Sequence, residues 1–485
     1  MLISRYHSRI MSSVFQHSHL PYFESIASGQ AAYRRKRKYY WEEITDYCDY
    51  FAHEDLSVLE IGCGTGELIG RIRGKRKKGI DFSETMIAGA RKAFPEVSFE
   101  VMDAMALRAD SEPYDLIILS NLIGYVDDVE SLFAQLQQVC HERTKVIVTY
   151  YNFLWEPFLR LAENLGLKRR TPRQNWLSRM DVNNLLYLAG FDVYRNSLRM
   201  LCPVYIPLVS HVLNKYVAKL PVIRHLSINQ YSFAKPLKEV KEWEHRFSTS
   251  IVIPARNESG NIENALLRMP KFGRHQEIIF VEGNSTDDTW ETIQRIYARY
   301  KDRFDIKILQ QDGKGKGNAV RNGFAIATGD ILMILDADLT VPPEDLPKFY
   351  DAISSGKGDF VNGSRLVYPM EKKAMRFLNL LGNKFFSLLF SWLLDRPFKD
   401  TLCGTKVIFR EDYDRLIANR KFFGDFDPFG DFDLIFGAFK LNLKIVEVPI
   451  RYRERTYGDT NISRFKHGFI LLRMCAFAAR KLKFI

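Results

Sequence analysis

Nowhere in its 485 residues does the sequence hold the run of about 20 predominantly apolar residues that a membrane-spanning helix needs. The nearest candidate, Ala374 to Leu394, is broken by Arg376, Asn379, Asn383 and Lys384. The opening residues lack the compact apolar stretch of a signal peptide, so the chain is expected to start in the cytosol and stay there. Cysteine is scarce. The six present, Cys48, Cys63, Cys140, Cys202, Cys403 and Cys475, show no paired spacing. That argues against a zinc site or disulfide framework and fits a reducing compartment. Acid is missing altogether from Asn461 to Ile485.

What is present is enough for more than one core. With 46% apolar and 13% aromatic residues, a chain of this length is expected to form two globular domains. The formal charge of +12 admits nucleic acid, anionic lipid or phosphorylated substrates as partners. The basic runs Arg34 to Lys38 and Lys75 to Lys78 lack aromatic residues interleaved at a stacking spacing. They read as solvated faces, and nucleic acid is not expected.

In the first half, the short apolar run Ser57 to Ile61 meets a glycine cluster, Glu60-Ile-Gly62-Cys-Gly64-Thr-Gly66, before a helical pattern resumes. This reads as strand, tight turn, helix, with helix N–H groups available to a ligand. A second strand ends at Asp81, placed to accept ribose hydroxyls, and Asp103 follows a third. Tyr114 to Ser120 reads as a buried parallel strand, followed by helix to about His141. A dinucleotide fold competes for these glycines, but its G-x-G-x-x-G spacing places the third glycine one residue later. Ser120-Asn-Leu-Ile lacks the N-P-P-Y pattern that grips a planar amine, which argues against a DNA base as substrate.

Residues 40 to 240 resemble the class I S-adenosylmethionine-dependent methyltransferases, through the E-x-G-x-G-x-G turn at Glu60 to Gly66. The resemblance implies a Rossmann-like α/β domain. In it Glu60, Gly62, Gly64 and Gly66 would support the methionine part of S-adenosylmethionine, Asp81 the ribose, and Asp103 the adenine end. The methyl acceptor stays open, as does the alternative that this domain binds the cofactor without catalysis. An RNA methyltransferase is a further alternative, one that predicts salt-sensitive RNA retention.

A closing strand at Asn229 to Ala234 is expected, with a charged stretch from Lys235 to His245 as linker. The domain limits are set at 1–238, 239–246 for the linker, and 247–485. In the second half, Thr249 to Pro254 opens a strand leading to Asn257 and Glu258, and another ends at Glu282. Asp330 to Asp338 reads as a central strand, whose period would place the Asp336 and Asp338 carboxylates on one side. Two hard oxygen donors suit Mg²⁺ or Mn²⁺ bridging a diphosphate.

These pieces, with Gly363-Ser-Arg365, Asp400-Thr-x-Cys-Gly404 and Arg455-x-x-Gly458, resemble the family-2 glycosyltransferases of the GT-A fold, in particular the polyprenyl-phosphate sugar transferases. The resemblance implies a nucleotide diphosphate sugar facing Pro254, Asn257, Glu258 and Glu282. It makes Asp336 and Asp338 the metal ligands, and Arg365 and Arg455 the phosphate contacts. Three departures stand out: Glu282-Gly283 for a D-D pair, Thr340 for a metal-contacting glutamine, and the later acids Asp431 and Asp433. A phosphate acceptor needs no general base. A sugar hydroxyl does, and Asp431 or Asp433 is the candidate for that role, with a solvated or structural acid pair as the equal alternative.

Polar residues at spacings of three and four from Ala374 to Leu394 predict an amphipathic helix. The acid-free end carries Arg464, Lys466, Arg473, Arg480, Lys481 and Lys483 among Phe and Leu, which suits an anionic membrane surface. The expectation is therefore a bifunctional α/β enzyme, peripheral on the cytoplasmic membrane face. It would transfer sugar to a polyprenyl phosphate and methylate a glycan or lipid-related acceptor. The alternative is a polysaccharide glycosyltransferase with a sugar-hydroxyl acceptor.

Overall fold

The apolar runs become the inner strands of two separate seven-stranded sheets. They are seen in a computed structural model describing residues 2–172, 174–237, 242–365, 377–418, 431–450 and 464–484. The chain divides into two compact units, with the boundary between Lys238 and Glu239.

The first sheet contains β1 (Ser57–Ile61), β2 (Arg76–Asp81), β3 (Ser98–Val101), β4 (Tyr114–Ser120), β5 (Cys140–Tyr151), β6 (Phe191–Arg199) and β7 (Asn229–Pro236). Their order is β3-β2-β1-β4-β5-β7-β6. The first five strands run parallel, while β7 is antiparallel to β5 and β6. Val58, Ile61, Ile117, Ile118 and Leu119 are fully buried, as central parallel strands covered on both faces require. Because the order reverses between β1 and β4, a crevice opens at their carboxyl ends. The helix expected to reach His141 stops earlier, since Cys140 already pairs with Tyr114 in the sheet.

The second sheet contains β8 (Ser248–Ala255), β9 (His275–Glu282), β10 (Asp305–Gln310), β11 (Ile331–Ile334), β12 (Phe360–Ser364), β13 (Lys406–Phe409) and β14 (Ile445–Pro449). Its order is β10-β9-β8-β11-β13-β12-β14, with β13 antiparallel to both neighbours. Here the order reverses between β8 and β11. The strand expected to carry both Asp336 and Asp338 ends at Ile334. The chain then turns, with Leu339 at φ 52°, so a turn and not strand period sets the two acids.

The stretch read as linker is partly structured. Lys235 is buried in β7, and the Tyr350 hydroxyl donates to the carbonyls of Trp243 and Phe247, which docks the end of the stretch on the second unit. The helix Phe377–Leu393 buries Phe386, Phe390 and Leu393, with Phe390 stacked 5.2 Å from Phe436, while Phe385 and Leu388 are exposed. In the helix Arg464–Ala478, Leu471, Met474, Cys475 and Ala478 turn inward. Lys483, expected on a lipid-facing surface, is instead buried and paired with Asp395. Among the described residues no helix is long and apolar enough to cross a membrane.

Candidate functional sites

The turn after β1 has the geometry a tight ligand loop needs. Gly62, Gly64 and Gly66 all have positive φ, at 75°, 55° and 76°. A Cβ at Gly62 would press on the Leu122 side chain at 2.8 Å, and one at Gly66 on Phe99 at 2.7 Å. At Gly64 it would meet only Arg34 Nη2, at 3.7 Å. Packing therefore demands two of the glycines, while the middle one borders open space.

Asp81 ties this loop to the next strand. Its carboxylate accepts from the Gly64 amide at 2.9 Å and from the Ser83 amide at 3.0 Å. Burial raises the Asp81 pKa above the carboxylate norm, partly offset by those two amides. Glu60 is buried and accepts from the Ile69 amide at 3.0 Å, fastening the helix that follows the loop. Burial pushes its carboxyl up to about 8. Asp103 accepts from the Met105 amide at 2.8 Å and caps the short turn after β3.

The helix Leu2–Lys36 lies across these strand ends. Phe23 packs edge-on against Phe82 and Tyr125, and Glu24 accepts from the hydroxyls of Ser83 and Thr85. Arg34 is not a solvated residue. Its guanidinium pairs with Glu67 at 2.9 Å, lies 4.3 Å from the Trp41 ring centre and faces Gly64. Composition placed it in a basic run, and the signal that could have found it was the aromatic cluster Tyr39-Tyr40-Trp41 directly after that run.

In the second unit, the loops after β8 and β9 interlock. Asn257, at φ 56°, accepts from the Thr286 amide at 2.8 Å, and its own amide donates to the Ser285 hydroxyl. Glu282 is buried, receives the Ser285 amide and accepts from Gln310 at 3.2 Å. Glu258 accepts from the Asn261 amide group at 2.8 Å within its own turn. Pro254, opposite Val281, closes the β8 edge of this group.

Across the crevice, Asp336 pairs with Lys316 at 2.6 Å, and Asp338 accepts from the Thr340 hydroxyl at 2.8 Å and the Thr340 amide at 3.1 Å. Burial raises the Asp336 pKa, but Lys316, with Lys406 and Arg365, holds it below the usual carboxylate range. Lys316 opens the helix Lys316–Ile326. Its signal in the sequence is the alternation Gly313-Lys314-Gly315-Lys316-Gly317 before a helix, which suits a phosphate-binding loop. Gly404 presses on this pair, where a Cβ would collide with Asp336.

Arg365 is directed into the protein. Its Nε and Nη2 donate to the two carboxylate oxygens of Asp400 at 2.7 and 2.8 Å, and its amide adds a third bond at 3.0 Å. Asp400 is fully buried. Arg365 thus shapes the loop that carries Gly404, a role the phosphate expectation did not include. Arg455 and the Asp431 side chain lie outside the described residues.

Comparison with known proteins agrees with this division. A methyltransferase domain model matches residues 33–196, and the glycosyl transferase family 2 model matches residues 250–417. The chain is 31% identical to the dolichol-phosphate mannosyltransferase of Pyrococcus furiosus, over 44% of this chain and 58% of that protein. It therefore spans a little over half the length of that relative. It is also 31% identical to the dolichyl-phosphate hexose transferase of Haloferax volcanii, over 45% of this chain and 88% of the relative. A solved S-adenosylmethionine-dependent methyltransferase of Thermotoga maritima covers 45% of this chain and 99% of its own, at 18% identity and TM-score 0.35. The chain carries a methyltransferase domain in its first unit and, through its second, belongs to glycosyl transferase family 2.

Proposed function

We propose that the second unit transfers a sugar from a nucleotide diphosphate sugar to a polyprenyl phosphate at the cytoplasmic membrane face. The first unit would methylate a glycan or lipid-related acceptor with S-adenosylmethionine. The Asp336–Lys316 arrangement at the β8/β11 reversal carries the first half. It pairs a carboxylate turn with a cation at the crevice where open α/β sheets bind ligands. The dolichyl-phosphate and undecaprenyl-phosphate transferases among the relatives support the lipid acceptor.

The donor set suits a hard divalent cation, since Asp336 and Asp338 present carboxylate oxygens within one turn. They would hold Mg²⁺ or Mn²⁺, which supplies charge neutralisation for a departing diphosphate. Asn257 and Glu282 order the loops that flank the nucleotide, and Lys316 sets the Asp336 carboxylate. A lipid phosphate is already anionic and attacks without a general base. In the first unit, the open side of Gly64 and the Asp81 carboxylate fit the methionine and ribose parts of S-adenosylmethionine, which supplies an electrophilic methyl group.

Two binding measurements test the halves separately. A panel of sugar nucleotides with Mg²⁺, and calorimetry with S-adenosylmethionine, should each find a ligand. Failure of either removes the corresponding half.

A further inference from the structure

The crevice end of the first sheet carries an apolar overhang that the core does not account for. β5 ends at Tyr151, which pairs with Asn229 at the start of β7, and Asn229 pairs in turn with Arg199 at the end of β6. Residues 152–167 and 200–228 therefore both spring from the sheet edge that also holds the Glu60 to Gly66 turn. Asn152 donates to the carbonyls of His225 and Ser227, each at 2.9 Å, and Trp155 Nε1 donates to that of Leu226 at 2.7 Å. The two segments are thus tied side by side.

What a folded helix normally hides is turned outward here. The helix Glu156–Asn164 has no buried residue, and its apolar stripe Phe158, Leu161 and Leu165, at spacings of three and four, is 64%, 55% and 64% exposed. In the second segment Leu208 and Val222, each directly after a proline in a turn, are 77% and 82% exposed. Tyr205 and Tyr216 are open to solvent as well. Single exposed apolar residues need no explanation, but a cluster of this extent marks an interaction surface.

Charge decides what covers it. Residues 193–238 contain no acid, while Lys215 and Arg224 stand partly exposed among the apolar turns. On the adjoining helix Glu156 and Glu163 are taken up by Arg160 and Lys168. A second copy meeting this face about a two-fold axis would bring basic groups against basic groups, with no acid on the segment to answer them. Anionic lipid answers them, and its acyl boundary takes up apolar turns and tyrosine rings without needing matched hydrogen bonds.

We infer that this overhang is a membrane-docking surface of the first unit, whose apolar turns enter the headgroup region of an anionic bilayer and hold the glycine turn at the lipid surface. It stands on the first unit's own residues and is independent of the sugar-transfer reading.

The test uses the full chain and sedimentation with vesicles of phosphatidylcholine, alone or mixed with phosphatidylglycerol. The chain should bind the mixed vesicles and come off them as salt rises. Leu208→Ser combined with Val222→Ser should weaken that binding about tenfold or more, with the thermal melt unchanged because both side chains are exposed. Val222→Trp should keep the binding, with its fluorescence moving to the blue on the mixed vesicles. Failure of the unaltered chain to bind mixed vesicles would overturn the inference, as would equal binding by the double variant. A dimer in solution that the double variant dissociates, with vesicle binding unchanged, would also overturn it and assign the face to a second copy. The readout is vesicle binding alone, so it is separate from sugar transfer to a short polyprenyl phosphate in detergent.

Discussion

Lys316 Nζ lies 2.6 Å from Asp336 Oδ1, so the first acid of the Asp336–Asp338 turn already carries a cation. A divalent ion and the lysine compete for the same carboxylate. Lys316→Met should therefore tighten Mn²⁺ binding, measured by calorimetry, while lowering kcat for sugar transfer by about 100-fold through loss of a fixed cation beside the diphosphate. Unchanged metal affinity would show that the pair does not gate the ion.

Gly404 has no room for a side chain, because its Cβ would enter the Asp336 carboxylate. Gly404→Ala should displace that carboxylate and reduce sugar transfer by about 100-fold or more. Calorimetry with S-adenosylmethionine should find the first unit unaffected.

Glu60 makes stability depend on pH. Its folded pKa, pushed to about 8 by burial, lies above the unfolded value near 4.5, so the folded state holds the proton more tightly. The contribution is fully present below the unfolded pKa and is lost as pH rises toward 8. Glu60→Gln removes the ionisation. Thermal melts should show the variant's advantage growing from pH 5 to pH 8, whereas a constant gap would mean that Glu60 is not protonated in the folded chain.

Asp400 is fully buried against Arg365, and the guanidinium holds its carboxyl below the usual range despite burial. Asp400→Asn leaves a buried cation without its counter-charge and should cost about 3 to 5 kcal/mol of stability in denaturant unfolding. Adding Arg365→Met should restore part of that loss.

Much of this organisation was legible in the chain because it rests on local patterns. The apolar runs ending in Glu60 to Gly66, Asp81 and Glu282 mark strand ends directly, and the crevice follows from strand order. What escaped depends on tertiary placement. Lys316 is one of several lysines until a helix start brings it to Asp336. Arg34 belongs to a basic run until the N-terminal helix crosses the glycine loop. Arg365 looks like a phosphate contact until Asp400, distant in sequence, takes its fork. The Asp330 to Asp338 run misled in detail, since its apolar residues continue to Leu335 while the strand ends at Ile334.

The most direct measurement of the central claim is partition of label after incubating the chain with a radiolabelled sugar nucleotide, Mg²⁺ and a short polyprenyl phosphate. Label should enter the lipid phase, and Asp338→Asn should abolish that transfer while S-adenosylmethionine still binds the first unit. Label that stays in the aqueous phase, whether as free sugar or glycan, would contradict the lipid-phosphate acceptor.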